Sequence, residues 1–149
     1  MWINTTRLGR LEVDDDRVIT FPKGLLGFPR HKKYVLLETG DGSYFFWLQS
    51  VDDPGLAFVV TDPSLFVSSY RVPLKAEQMQ DLGIGSLDEA QVFVIVNKRE
   101  HLLTGNLQGP LVVHVGKKVG EQLVLSDRRF TTRVPLVELE SQVPQASVA

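Results

Sequence analysis

Short runs of β-branched and aromatic residues recur along the chain, each bounded by glycine, proline, aspartate or serine. That rhythm predicts strands, because such side chains pack well on a pleated surface and the bounding residues turn the backbone. Strands are expected near residues 2–7, 10–13, 18–21, 34–38, 44–50, 56–61, 92–97, 111–115 and 122–125. Gly40-Asp41-Gly42-Ser43 suits a hairpin turn and Asp52-Asp53-Pro54-Gly55 a second tight reversal. Gly116-Lys117-Lys118-Val119-Gly120 reads as the connection between the last two strands.

One stretch breaks the pattern. Residues 75–82 are good helix formers, with Leu74, Met79 and Leu82 on one apolar side and Gly83 as a stop. Ser86-Leu87-Asp88-Glu89 has capping-box spacing for a single turn, and Pro63-Ser64-Leu65-Phe66 suits another. Many short strands with one helical insertion predict a mainly β single domain, a compact antiparallel barrel or sandwich. The domain is expected over residues 1–137, closed around Phe21, Trp47, Phe58, Val94, Val112 and Leu123. Residues 138–149 are expected to form a flexible tail.

Composition adds exclusions. At 149 residues, 43% hydrophobic and 23% charged, the chain has ordinary single-domain usage. Without cysteine it has no disulfide, thiolate metal ligand or cysteine nucleophile. No segment is apolar and long enough to span a bilayer, and the first residues lack the blocks of a signal peptide. A cytoplasmic protein without membrane attachment is the expectation.

The net charge of −2 is unevenly distributed: residues 1–96 carry −4, residues 97–133 carry +4 and the remainder −2. A weakly acidic chain is a poor candidate for gripping a phosphate backbone. His31, His101 and His114 have no partners at metal-ligand spacing. Asp14-Asp15-Asp16 and Asp52-Asp53 sit in turn-like context, where carboxylates are solvated rather than tuned for acid–base work. There is no phosphate-binding loop and no nucleophile elbow. Lys98-Arg99, Lys117-Lys118 and Arg128-Arg129 are isolated basic pairs without interleaved aromatics. These absences point away from an enzyme and from a cofactor or metal site. A binding module remains, able to capture a polypeptide by strand addition or groove packing. A small barrel carrying a nucleic acid or carbohydrate is the alternative.

Several blocks then become informative in their order. Phe21-Pro22-Lys23-Gly24-Leu25-Leu26-Gly27-Phe28, Trp47-Leu48-Gln49-Ser50 followed by Leu56-Ala57-Phe58, Asn106-Leu107 before Pro110, and Arg133-Val134-Pro135-Leu136 succeed one another over residues 1–137. This succession resembles the FliW family of flagellar assembly factors. His114 and Phe130 depart from it, standing where the family often has Asn and Tyr.

The resemblance implies a cytoplasmic binding protein, monomeric when free, with two alternative partners. One is flagellin, held before export. The other is CsrA, a small RNA-binding translational regulator that represses flagellin synthesis and is relieved by capture away from its RNA surface. Neither cofactor nor direct nucleic-acid contact is implied. Candidate contact residues are Leu25, Leu26, Gly27 and Phe28 in the first motif, and Asn106 and Leu107 in the later loop. An acidic set, Glu77, Asp81, Asp88 and Glu89, is expected to attract the regulator and repel RNA phosphates.

Overall fold

The computed structural model describes residues 1–39 and 44–139. Among these residues there are eleven strands: β1 (Trp2–Thr5), β2 (Gly9–Glu12), β3 (Ile19–Thr20), β4 (Lys33–Glu38), β5 (Phe45–Ser50), β6 (Ala57–Thr61), β7 (Ala90–Arg99), β8 (Leu102–Gly105), β9 (Leu111–His114), β10 (Val119–Gln122) and β11 (Val134–Glu138). Helix α1 (Ala76–Leu82) lies between β6 and β7. β1 and β2 form a separate hairpin, and the other nine strands form one sheet in the order β11-β8-β7-β6-β5-β4-β3-β10-β9. β9 pairs with β7 as well as β10, so β3 to β7, β10 and β9 close into a ring. The mainly β, barrel-like fold with one short helix is therefore the architecture that forms. Its pairings are antiparallel except for β3 with β10, a parallel contact at Val119 and Thr20.

β7 organises the molecule. Ala90–Phe93 pair with β9, whereas Val96–Arg99 pair with β8, which carries β11 on its far edge. Side chains alternate across a strand. Phe93 and Ile95 therefore join Phe21, Tyr34, Leu48, Val60, Leu111 and Val113 inside the ring. Val94 and Val112 face the other way and pack with Tyr70, Leu82, Leu107, Leu123 and Phe130 under α1 and the flanking loops. Two apolar cores thus share β7 and β9 as a common wall.

Of the expected core residues, Phe21, Val94, Val112 and Leu123 are buried and Phe58 packs against the inner cluster. Trp47 corrects the expectation. It stands between the inward-facing Phe46 and Leu48 on β5, so strand alternation turns it outward. There it is half-buried, with the Arg7 guanidinium 4.4 Å from its ring centroid.

Three strand assignments also differ. The sequence pattern does not predict β8, because its turn, Glu100-His101, lacks the usual glycine or asparagine; Glu100 itself adopts φ 55°. β11 contains Pro135, but it is the edge strand, with a register shift after the proline. β10 starts at Val119 rather than Gln122. Gly120, which resembles a turn residue, lies inside β10 because Phe21 packs on it: a Cβ there would fall 2.5 Å from Phe21 Cε1. The turn expected at residues 40–43 lies outside the described residues, as do residues 140–149, while β11 runs through Glu138.

The smaller elements follow local chemistry. α1 begins where the Lys75 N–H donates to Gln78 Oε1 at 2.9 Å and ends at Gly83. Residues 63–65 and 87–89 form single 3-10 turns. The first is capped by Asp62 Oδ1 accepting from the Ser64 N–H at 2.9 Å. In the second, Ser86 hydrogen-bonds the Asp88 carboxylate instead of forming the expected capping box.

Candidate partner-binding surface

The first motif builds a rigid projection. Phe21 is buried, and its carbonyl accepts from the Gly24 N–H at 2.8 Å. Gly24 has φ 69°, and a Cβ there would meet Phe28 O and Pro29 Cα at 2.6 Å, so both conformation and space demand glycine. Leu25 and Phe28 exchange backbone hydrogen bonds of 2.8 and 3.3 Å around Leu26-Gly27. Gly27 supplies φ 85° at the third turn position, the signature of a type II turn. Leu25 points inward and is 3% exposed, whereas Leu26 at the tip is 59% exposed. Phe28 is half-buried, its ring edge-on to Phe58 at 5.3 Å.

The second expected element lies beside the first. Gln122, at the end of β10, accepts from the Leu26 N–H at 2.8 Å and donates through Nε2 to Gly109 O at 2.9 Å. One side chain thus ties the Leu26 turn to the loop containing Asn106. Asn106 Oδ1 caps that loop by accepting from the Gly109 N–H at 2.9 Å. Gln122-Leu123-Val124-Leu125 also fits the family succession, but the tie itself is not legible locally, because the two partners of Gln122 are distant in the chain.

Leu107 behaves differently from the expectation of a contact residue. It is 0% exposed, its carbonyl accepts from the Tyr70 hydroxyl at 2.6 Å and its N–H donates to Thr131 O at 3.1 Å. Leu25 and Leu107 therefore support the surface from beneath, while Leu26, Gly27, Phe28 and Asn106 are at least partly accessible.

The acidic residues divide into two groups. Lys23 of the first motif reaches Glu121 at 2.9 Å and Asp81 at 3.8 Å. Glu121, then Asp81 and Glu77, hold the Lys23 ammonium above its ordinary pKa. Two carboxylates thus contact one cation and Glu77 acts on it through charge, so the set does not stand against Lys75 alone. Asp88 is exposed, its carboxyl held below the ordinary range by the Ser86 hydroxyl. Glu89 faces His114 Nε2 at 3.0 Å, and His114 Nδ1 accepts from the Lys117 N–H at 3.0 Å. Those contacts assign the neutral tautomer carrying its hydrogen on Nε2. The buried His114 is a packed strand residue with both nitrogens engaged.

Among the described residues no group of three or more His, Asp or Glu is placed to hold a metal ion, and no helix is long and apolar enough to cross a membrane. A groove on the β8 side contains Lys98, Arg99 and Arg133 but no aromatic side chain on which a base or sugar could stack.

The family profile described as FliW protein matches residues 2–136. The chain belongs to the FliW family. Within that FliW family, the flagellar assembly factor FliW of Bdellovibrio bacteriovorus is 37% identical over 148 residues, covering 97% of this chain and 85% of the relative. The flagellar assembly factor FliW of Syntrophus aciditrophicus is 39% identical over 140 residues, covering 93% and 89%. A crystal structure of the flagellar assembly factor FliW superposes with a TM-score of 0.84 at 30% identity, covering 92% of this chain and 97% of that one.

The FliW-like middle block has a structural explanation. Gln49 is buried, with its Nε2 within 3.1–3.3 Å of the carbonyl oxygens of Ser50, Asp53, Pro54 and Leu56. Ser50 Oγ accepts from the Asp52 and Asp53 N–H groups at 3.2 and 3.0 Å. The polar residues of this block thus fold the β5–β6 turn around themselves.

Proposed function

We propose that this chain is a flagellar assembly factor that acts by binding: it holds flagellin and, alternatively, captures CsrA to permit flagellin translation. The observation carrying this reading is the FliW match over residues 2–136. The accessible Leu26-Gly27 tip beside the Asn106 loop, stiffened by Gln122, supplies a surface suited to protein contact. A preorganised surface lowers the ordering cost of association. The acids around Lys23 favour a basic partner and disfavour RNA phosphate. The protein works in the cytoplasm in this reading, without cofactor or catalysis.

Calorimetric titration of flagellin and CsrA, each alone and then in the presence of the other, tests the proposal. Each should bind, and flagellin occupancy should weaken CsrA binding by the same factor as the reverse, because linkage is reciprocal. Independent simultaneous binding removes the switch, and binding of neither removes the function. Combining Glu77→Lys, Asp81→Lys and Glu89→Lys should weaken CsrA binding and RNA release, more at low salt than at high salt.

A further inference from the structure

β7 leaves β6 after Val96, and residues 97–99 run on with β8 beyond the ring. Asn97 pairs with Thr104 and Arg99 with Leu102, so these four side chains share one face of the sheet. With Arg133, just before β11, they line a groove of about 500 Å³ that Lys98 also borders. No acidic side chain lines it. Glu138, the acid placed nearest by strand pairing, stands opposite Leu102. Among the described residues none of Lys98, Arg99 and Arg133 forms an ion pair.

Thr104 distinguishes this groove from a cluster of solvated cations. It is 8% exposed, and its hydroxyl has no hydrogen-bond partner among the described residues. The other buried polar residues are engaged: Thr5 with Gly9 O, Thr61 with Tyr44 O, Gln49 and Ser50 within the β5–β6 turn, and His114 with Glu89. Buried polar groups are almost always paired, so an open one calls for an acceptor from outside. The unpartnered Tyr34 hydroxyl belongs to the core inside the ring, whereas Thr104 lines an open groove. Two guanidinium groups and a free hydroxyl thus stand around the half-buried Leu102.

A cationic groove repels an RNA-binding regulator, whose own surface must be basic to hold phosphates. Of the two partners proposed above, that leaves flagellin. We propose that this groove is the flagellin site: Arg99 and Arg133 take two carboxylates of an acidic flagellin segment, and a main-chain carbonyl between them accepts from the Thr104 hydroxyl. Guanidinium–carboxylate pairs are short and directional, which suits recognition of one segment. The acids around Lys23 remain for CsrA. The Asn106 loop lies between the two surfaces: β8 runs into it from the groove, and Gln122, beside Glu121, holds Gly109 on its other side. Each partner therefore reaches the same loop, which gives their competition a structural route. The site rests on the binding function proposed above and adds the face on which flagellin sits.

Calorimetric titration of full-length monomeric flagellin and of CsrA into the double variant Arg99→Glu, Arg133→Glu tests the site, with thermal unfolding to check the fold. Flagellin affinity should fall about tenfold or more at low salt and less at high salt, while CsrA affinity stays within about twofold. Thr104→Val should weaken flagellin about threefold to tenfold at every salt concentration and leave the free protein at least as stable. Arg17→Glu, which reverses an exposed cation outside the groove, should leave flagellin binding unchanged. If the double reversal unfolds, Arg99→Gln with Arg133→Gln carries the same comparison. Flagellin that fails to bind the wild-type protein removes the proposed function itself. Flagellin that binds the wild type and the groove variants alike leaves that function standing and removes this site. An equal loss of CsrA binding, or an equal loss of flagellin binding in Arg17→Glu, also overturns the assignment.

Discussion

Removing the hydroxyl from Tyr70 and from Tyr34 should move stability in opposite directions. The Tyr70 hydroxyl donates to Leu107 O at 2.6 Å, and both residues are buried. Tyr70→Phe retains the ring packed edge-on against Phe130 at 4.8 Å but strips a buried carbonyl of its donor. Such a loss costs about 1–3 kcal/mol. Tyr34 is 0% exposed, and its hydroxyl has no hydrogen-bond partner among the described residues. Its desolvation cost is already present in the folded protein, so Tyr34→Phe should raise stability by about 1 kcal/mol, with the ring contact to Phe21 kept. Urea unfolding at pH 7, followed by tryptophan fluorescence, measures both changes. Equal destabilisation by the two variants would refute the reasoning and reveal a bonded Tyr34 hydroxyl.

Alkaline pH gives this prediction a second arm. Burial, with Asp53 contributing less, pushes the Tyr34 phenol from 10.0 up to about 12. Burial pushes Tyr70 higher still. A raised phenol pKa means that the unfolded chain releases its proton first. The associated stability is therefore complete below pH 10 and drains as pH rises through the folded values. The two tyrosines together should make stability fall by about 2 kcal/mol per pH unit near pH 11, and by about half as much in either phenylalanine variant.

Three further outcomes are expected. Gly120→Ala should cost about 1–3 kcal/mol in denaturant unfolding, and less when Phe21→Leu makes room, so the double mutant should be non-additive. Gln122→Ala should lower stability by about 1 kcal/mol and speed amide exchange at Leu26 while leaving the far strands protected, since it unties one turn from one loop. Trp47→Ala should cost less than the roughly 3–5 kcal/mol of a fully buried tryptophan, and Arg7→Ala should remove about 0.5–1 kcal/mol through the same contact, both read from urea midpoints.

Short continuous runs of β-branched and aromatic residues bounded by turn residues make β4, β5 and β6 legible. Elements that depend on distant packing were harder to read. Gly120 marks a close approach by Phe21, ninety-nine residues earlier, and local sequence cannot distinguish that role from a turn. Size alone places Trp47 in the core, but strand alternation determines which way it faces. For the candidate surface, the Leu25–Phe28 motif identified the turn itself. The burial of Leu107 depends on Tyr70 and Thr131, and the pairing of Lys23 with Asp81 on α1 and Glu121 on β10 depends on where those two elements dock. None of these is a local property of the chain.

The parallel contact between β3 and β10 has a kinetic consequence. It closes the ring through the pairing of Val119 with Thr20 and the Thr20 N–H to Lys118 O bond at 2.9 Å. The sequentially adjacent pairs β4–β5 and β5–β6 require only short loops, whereas this join must bring together segments about a hundred residues apart. It is therefore the natural last step of folding and the first place for the barrel to part. Weakening it should shorten the lifetime of the native protein while leaving the refolding rate nearly unchanged.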